Sequence, residues 1–178
     1  MADIIFSECS PEIAAEKTIN LLRSMKLSVA SAESCTGGLI SELITSVSGA
    51  SEVFELGICT YSERIKTEYL GVPSELIEKY GVVSEQVALS MVQGLKKRSC
   101  ADVCVSVTGI AGPGGGTPET PVGTVFIGFD ICGSQFVRLP ELWKLDDRSR
   151  CNIRRSAAAY AFSVIENTLL EANRKDGR

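Results

Sequence analysis

DVCVSVTGIAGPGGGTPETPVGTVFIGFD, residues 102–130, is the stretch whose reading decides the fold. Val103, Val105 and Val107 alternate along a strand expected over 102–107, because successive side chains of a strand point to opposite faces. The glycine- and proline-rich run that follows cannot extend that strand. Apolar residues resume from Val122 to Asp130, and Cys132-Gly133 then offers a turn into a third strand, Gln135 to Leu139. The last two strands thus read as a hairpin. The connection between the first two is either a binding loop or plain slack. It holds neither a P-loop nor a dinucleotide-binding glycine pattern.

Toward the N-terminus the pattern changes from strand pairs to alternating strands and helices. Ser10-Pro11-Glu12 reads as a helix start, with a capping hydroxyl, a proline at the first helical position and an acid on the positive dipole end. Ala14, Thr18, Leu21, Leu22 and Met25 then recur at helical spacing. LSVAS, residues 27–31, reads as a short strand, followed by a helix with Leu39, Ile40, Leu43, Ile44 and Val47 on one face. FELGICTY, residues 54–61, reads as a strand, and Ser62 and Ser74 begin two short helices broken at Gly71-Val72-Pro73. Ser84 caps an amphipathic helix carrying Val87, Ala88, Met91, Val92 and Leu95, and a long helix is expected from about 147 to 172, before a polar tail at 173–178. Alternating elements followed by a hairpin predict a layered α/β domain with a mixed β-sheet flanked by helices, one domain over residues 1–178 with its core at about 10–170.

The 178 residues are enough to bury a full core, roughly 70% of the surface of the unfolded chain. A net charge of −4 gives no electrostatic reason to expect nucleic acid or an acidic membrane as a partner. The opening MADIIFSECSPE lacks the basic and apolar regions of a signal peptide, so a cytoplasmic location is expected. Seven cysteines with no C-x-x-C pair read as reduced thiols rather than a zinc or dithiol motif. Histidine is absent, which removes Ser-His and Cys-His catalysis and imidazole metal ligands; any base must be Lys, a carboxylate, Tyr or water.

Three places can carry chemistry. AESCTGGLI, residues 32–40, ends a strand and opens a helix, so Thr36, Gly37 and Gly38 are either an anion-binding turn or a tight turn needing small residues. The loop from Thr108 through Gly109, Ala111 and Gly112 offers the same kind of backbone donors. GASEVFELGICTYSERIK, residues 49–66, places Ser51 before a strand, Tyr61 at its end and Lys66 one helical turn later. Lys66 is then either a solvated helix charge or a base standing in for histidine, and Tyr61 either half-buried packing or a neighbour of that base.

AESCTGG, TYS-x-x-x-K, GVVSE, TGIAGPGGG…PVGTV and DDR before the last helix, taken in order, resemble the CinA C-terminal domain family over about residues 10–170. The resemblance implies a metal-free, cofactor-free amidohydrolase that converts nicotinamide mononucleotide (NMN) to nicotinate mononucleotide and ammonia. It also implies a homodimer or higher homo-oligomer, in a form without the molybdopterin-binding-like domain of larger members. The other class it leaves open is a catalytically weak nucleotide-binding module or a partner of such a domain protein. Carried across, the family's nucleophile falls on Ser51, its base on Lys66 and a flanking residue on Tyr61. Ser34 and Thr108 fall on substrate-contacting hydroxyls and Arg148 on a cation of the site. Gly114-Gly115-Gly116 departs from a pattern in which an acid commonly follows the proline. For Lys66 to act as base its pKa must fall from about 10.4, by burial or through cations such as Arg64 and Arg148.

Overall fold

The computed structural model describes residues 10–175. The opening segment through Cys9 and the last three residues of the polar tail lie outside the described residues. Helix α1 spans Pro11–Met25, capped by Ser10, whose Oγ accepts from Ile13 N. Lys26, in the left-handed conformation, turns the chain, and Leu27 N donates to Leu22 O. Leu27 is therefore spent on the helix end, and strand β1 begins two residues later than expected, at Val29–Glu33. Helix α2 (Leu39–Thr45) and a 3-10 turn (Ala50–Glu52) lead to β2 (Phe54–Cys59). Helices α3 (Glu63–Leu70), α4 (Ser74–Tyr80) and α5 (Glu85–Ser99) follow. Ser62 and Ser84 cap α3 and α5 through their hydroxyls, while Ser74 is the first residue of α4 rather than its cap.

Strands β3 (Val103–Gly109), β4 (Val125–Ile131) and β5 (Ser134–Arg138) precede α6 (Arg150–Lys175). Strand β4 starts after the expected Val122 because Pro121–Thr124 form a turn, with Thr124 N donating to Pro121 O. The sheet order is β2-β1-β3-β4-β5. Strands β1, β2 and β3 run parallel, and β4 runs antiparallel to both of its neighbours, β3 and β5, which is the mixed sheet expected of the α/β pattern.

Alternation along the strands divides the interior into two cores. Val29, Val103, Val105 and Val107 face a cluster shared with α1, α2 and α6. Ala30, Ala32 and Cys104 point the other way, toward Val87, Met91, Val92 and Leu95 of α5. Each large side chain fully buried here contributes about 1.5–3 kcal/mol relative to exposure. Small residues let α1 and α6 approach closely: Ala14 and Ala15 share the first core with Ala157, Ala158 and Ala161, and Thr18 Oγ1 donates across the pair to Phe162 O at 3.2 Å. Among the described residues no helix is long and apolar enough to cross a membrane.

The parallel strands end in register. Glu33 pairs with Cys59 on one side and Val107 on the other. Ser34 N then donates to Val107 O at 3.0 Å, and Thr60 N to Glu33 O at 2.8 Å. Ser34, Thr60 and Thr108 therefore lie side by side at the carboxyl edge of the sheet. That edge, where connections leave toward both faces, is where open α/β sheets hold their ligands.

Candidate active site

Lys66 forms the centre of this edge. It lies on the inner face of α3, one turn before buried Leu70, and its side chain is 0% exposed. Its Nζ donates to Ser34 Oγ at 2.9 Å, to Thr60 O at 2.7 Å and to Tyr61 O at 3.4 Å. Burial disfavours the ammonium and lowers the pKa of Lys66 to about 8; Cys35 and Glu63 oppose that shift without cancelling it. No cation is needed. Arg64, a candidate for that role, is exposed and paired with Glu68 at 2.6 Å.

Ser34 opens onto a cleft of about 490 Å³, bounded by Tyr61, Ser62 and Glu63 on one side and by Val82 and Val83 on another. Thr108, Gly109, Ile110, Ala111 and Gly112 close it from the glycine-rich loop. That loop is an ordered wall: Ile110 N donates to Thr124 O, Gly123 N to Ile110 O, and Thr117 N to Thr120 O. Gly112 has φ +80°, and a Cβ there would meet Val122 Cγ1 at 2.6 Å, so a side chain is excluded on both counts. Thr108 Oγ1 donates to Val82 O at 2.8 Å, which ties β3 to the segment before α5. Cys35 also lines the cleft, but burial pushes its thiol up to about 12, so it stays protonated and un-nucleophilic at neutral pH.

Arg150, in the first turn of α6, stands at the mouth. Its Nη1 donates to Gly112 O at 2.8 Å and its Nη2 to Tyr61 Oη at 3.0 Å. The Tyr61 ring thus meets the arginine, while only its main-chain carbonyl meets Lys66.

The structure corrects several sequence assignments. Ser51 lies in the 3-10 turn before β2 and lines a separate depression with Thr45, Val47 and Phe54. The six residues of β2 separate it from the Lys66 end of the sheet, on the order of 20 Å at ~3.3 Å per residue. It cannot exchange a proton with Lys66; the hydroxyl that can is Ser34. Arg148 is exposed and does not line the cleft, whereas Arg150, itself exposed, does: as the first residue of α6 it reaches Gly112 O and Tyr61 Oη. Thr36, Gly37 and Gly38 do not line it either. The start of α2 already holds an anion, since Glu33 accepts from Gly38 N, Ile40 N and Ser41 N. On the outer side, Arg154 donates to Thr36 O through Nε at 3.0 Å and Nη2 at 2.6 Å. Of the anticipated residues, Ser34, Tyr61, Thr108, Gly109, Ala111 and Gly112 come together on the cleft, with Lys66 directly behind Ser34. Arg150 and Cys35 were not anticipated. Among the described residues no group of three or more His, Cys, Asp or Glu is placed to hold a metal ion.

A parallel-edged α/β sheet carrying a buried Ser-Lys pair under a glycine-rich wall defines the class. Residues 12–169 match the CinA C-terminal domain, and the chain belongs to that family. It is 48% identical over 155 residues to a CinA-like protein of Akkermansia muciniphila, covering 87% of this chain and 36% of that protein. A CinA-like protein of Kosmotoga olearia is 43% identical over 159 residues, covering 89% of this chain and 38% of that one. The chain thus spans less than two fifths of the length of either relative. Among solved structures, the competence/damage inducible protein CihA from Agrobacterium tumefaciens superposes with a TM-score of 0.82 at 38% identity, covering 87% of this chain and 93% of that one. A CinA superfamily protein from Klebsiella pneumoniae, at 23% identity and a TM-score of 0.85 over 92% of this chain and 99% of that one, shares the fold.

Proposed function

We propose that the protein is an amidohydrolase that cleaves the carboxamide of NMN to give nicotinate mononucleotide and ammonia, with Ser34 as nucleophile and Lys66 as base. The observation that carries this reading is the 2.9 Å contact of a fully buried Lys66 amine with a hydroxyl facing a cleft of mononucleotide size.

The two carbonyls on Lys66 explain how it can accept a proton. In the ammonium form its three N–H bonds point at Ser34 Oγ, Thr60 O and Tyr61 O. Once it is neutral, two hydrogens stay on the carbonyls, and the lone pair turns to Ser34. The Ser34 hydroxyl proton passes to Lys66 as Oγ attacks the carboxamide carbon. The amide of Cys35, the first backbone donor beyond the nucleophile and part of the cleft wall, is assigned to the oxyanion. Lys66 next protonates the departing nitrogen, and ammonia leaves an ester on Ser34. Water, deprotonated by Lys66, attacks that ester; the acid departs, and the Ser34 hydroxyl and neutral Lys66 are restored. Arg150 supplies the cation for the phosphate at the mouth, in place of Arg148, which the sequence resemblance gave as a cation of the site.

The test is ammonia release from NMN by the purified protein, with Ser34→Ala as control. Saturable NMN binding without ammonia would replace the enzyme with a nucleotide-binding module.

A further inference from the structure

We propose that Glu33 is a positioning residue that sets the separation of Ser34 and Lys66; the proposal rests on the catalytic pair assigned above. Glu33 is the last residue of β1, is 0% exposed and is not part of the cleft wall. Its Oε2 accepts from Gly38 N and Ile40 N, both at 3.0 Å, and its Oε1 from Ser41 N and Ser41 Oγ, both at 2.9 Å. Burying a carboxylate is costly unless donors replace its water. Four donors do so here, and all come from the start of α2.

This is not an ordinary helix cap. The N-cap residue is Gly38, which has no side chain, and the anion reaches it from five residues upstream in the preceding strand. The turn from Ser34 to Gly38 must therefore fold over the Glu33 side chain, which fixes where Ser34 emerges. The same residue also fixes the base. Glu33 O accepts from Thr60 N at 2.8 Å, and Thr60 O accepts from Lys66 Nζ at 2.7 Å. One residue thus anchors the nucleophile's turn through its carboxylate and the base's carbonyl partner through its backbone. Its carboxylate oxygens are taken up by three amides and one hydroxyl, so it is not free to pair with the Lys66 ammonium.

Glu33→Gln tests this. The amide keeps the shape but turns an NH₂ toward backbone N–H donors, so the turn must shift. The expected result is a Ser34 Oγ–Lys66 Nζ separation beyond about 3.5 Å in the crystal structure of the variant. With it, kcat for NMN should fall roughly 10- to 100-fold while KM stays within about twofold, since a displacement of ~1 Å has an effect of that size. An unchanged separation in the folded variant overturns the proposal, whatever kcat does, and so does a rise in KM alone. If Glu33→Gln does not fold, Ser41→Ala removes one donor only and should lengthen the same separation with a kcat loss of roughly threefold or more; an unchanged contact there overturns the proposal equally. Absence of NMN turnover in the wild-type protein would sink the functional reading alone, because the separation is measured without substrate.

Discussion

Lys66 Nζ meets Ser34 Oγ at 2.9 Å across 32 residues of sequence, from a helix that follows the neighbouring strand. The amine has no exposed surface, and its two other acceptors are main-chain carbonyls, which cannot move away without disturbing α3. A lysine held in this way trades stability for a larger fraction of free amine near neutral pH.

Ser34 and Ser51 make opposite predictions. Ser34→Ala and Lys66→Ala should each lower kcat for NMN by about three orders of magnitude or more, and the double variant should be little worse than the poorer single one. Ser51→Ala should stay within about twofold, since an exposed serine away from the cleft contributes little. Steady-state kinetics on samples checked by thermal melting decide the matter; an inactive, folded Ser51→Ala would return the nucleophile to the 3-10 turn.

The pH dependence follows from Lys66. Its free-base form is required, so kcat/KM should rise with pH and level off above about 8. Stability should respond as well. Between pH 8 and about 10.5 the unfolded chain holds a proton on Lys66 that the folded protein has released, so unfolding free energy rises with pH across that window. Below pH 8 the cost of burying the ammonium is fully present. Denaturant titrations of wild type and Lys66→Met at pH 7 and pH 10 should therefore diverge, with wild type gaining on the order of 1–3 kcal/mol relative to the variant. A constant difference would mean that the lysine is not depressed.

The phosphate prediction now falls on Arg150. Arg150→Ala should raise KM for NMN about tenfold or more, while Arg148→Ala should leave it within about twofold. Nicotinamide riboside, which lacks the phosphate, should be a poor substrate of the wild type and should lose little further with Arg150→Ala. Equal kcat/KM for nucleoside and nucleotide would remove the anion from the recognition scheme.

Chelation should have no effect. With Ser34 as nucleophile, Lys66 as base and no histidine in the chain, no step calls for a metal-bound water. Turnover measured after EDTA treatment should match the untreated enzyme. Activity lost to EDTA and restored by a divalent ion would replace the lysine as the activating group.

Much of the fold was legible because its signals are local. Ser10, Ser62 and Ser84 each accept from the amide three residues on, as capping hydroxyls do, and they mark three helix starts. The alternation of Val103, Val105 and Val107 marks a strand whose two faces serve different cores. The site was legible only in part, because its geometry depends on which strand ends are adjacent. Ser51 and Ser34 both lie near glycines at element ends, and nothing local says which end of the sheet each occupies. The burial of Lys66 did leave a signal: it sits four residues before Leu70, a spacing that shares one helical face. Arg148 and Arg150 are two apart, so only the true start of α6 decides which of them reaches the cleft.

Because Ser34, Thr60 and Thr108 each directly follow the last rung of the parallel pairings that share Glu33, the arrangement of the candidate site is set by strand register more than by side-chain packing. Conservative changes of volume in the two cores should leave it in place. A single inserted or deleted residue in β1, β2 or β3 is different in kind. It would move one hydroxyl or carbonyl by ~3.3 Å and turn every following side chain to the other face of the sheet. Length variation during divergence should therefore be confined to the loops, and the three parallel strands should tolerate substitution but not changes in length.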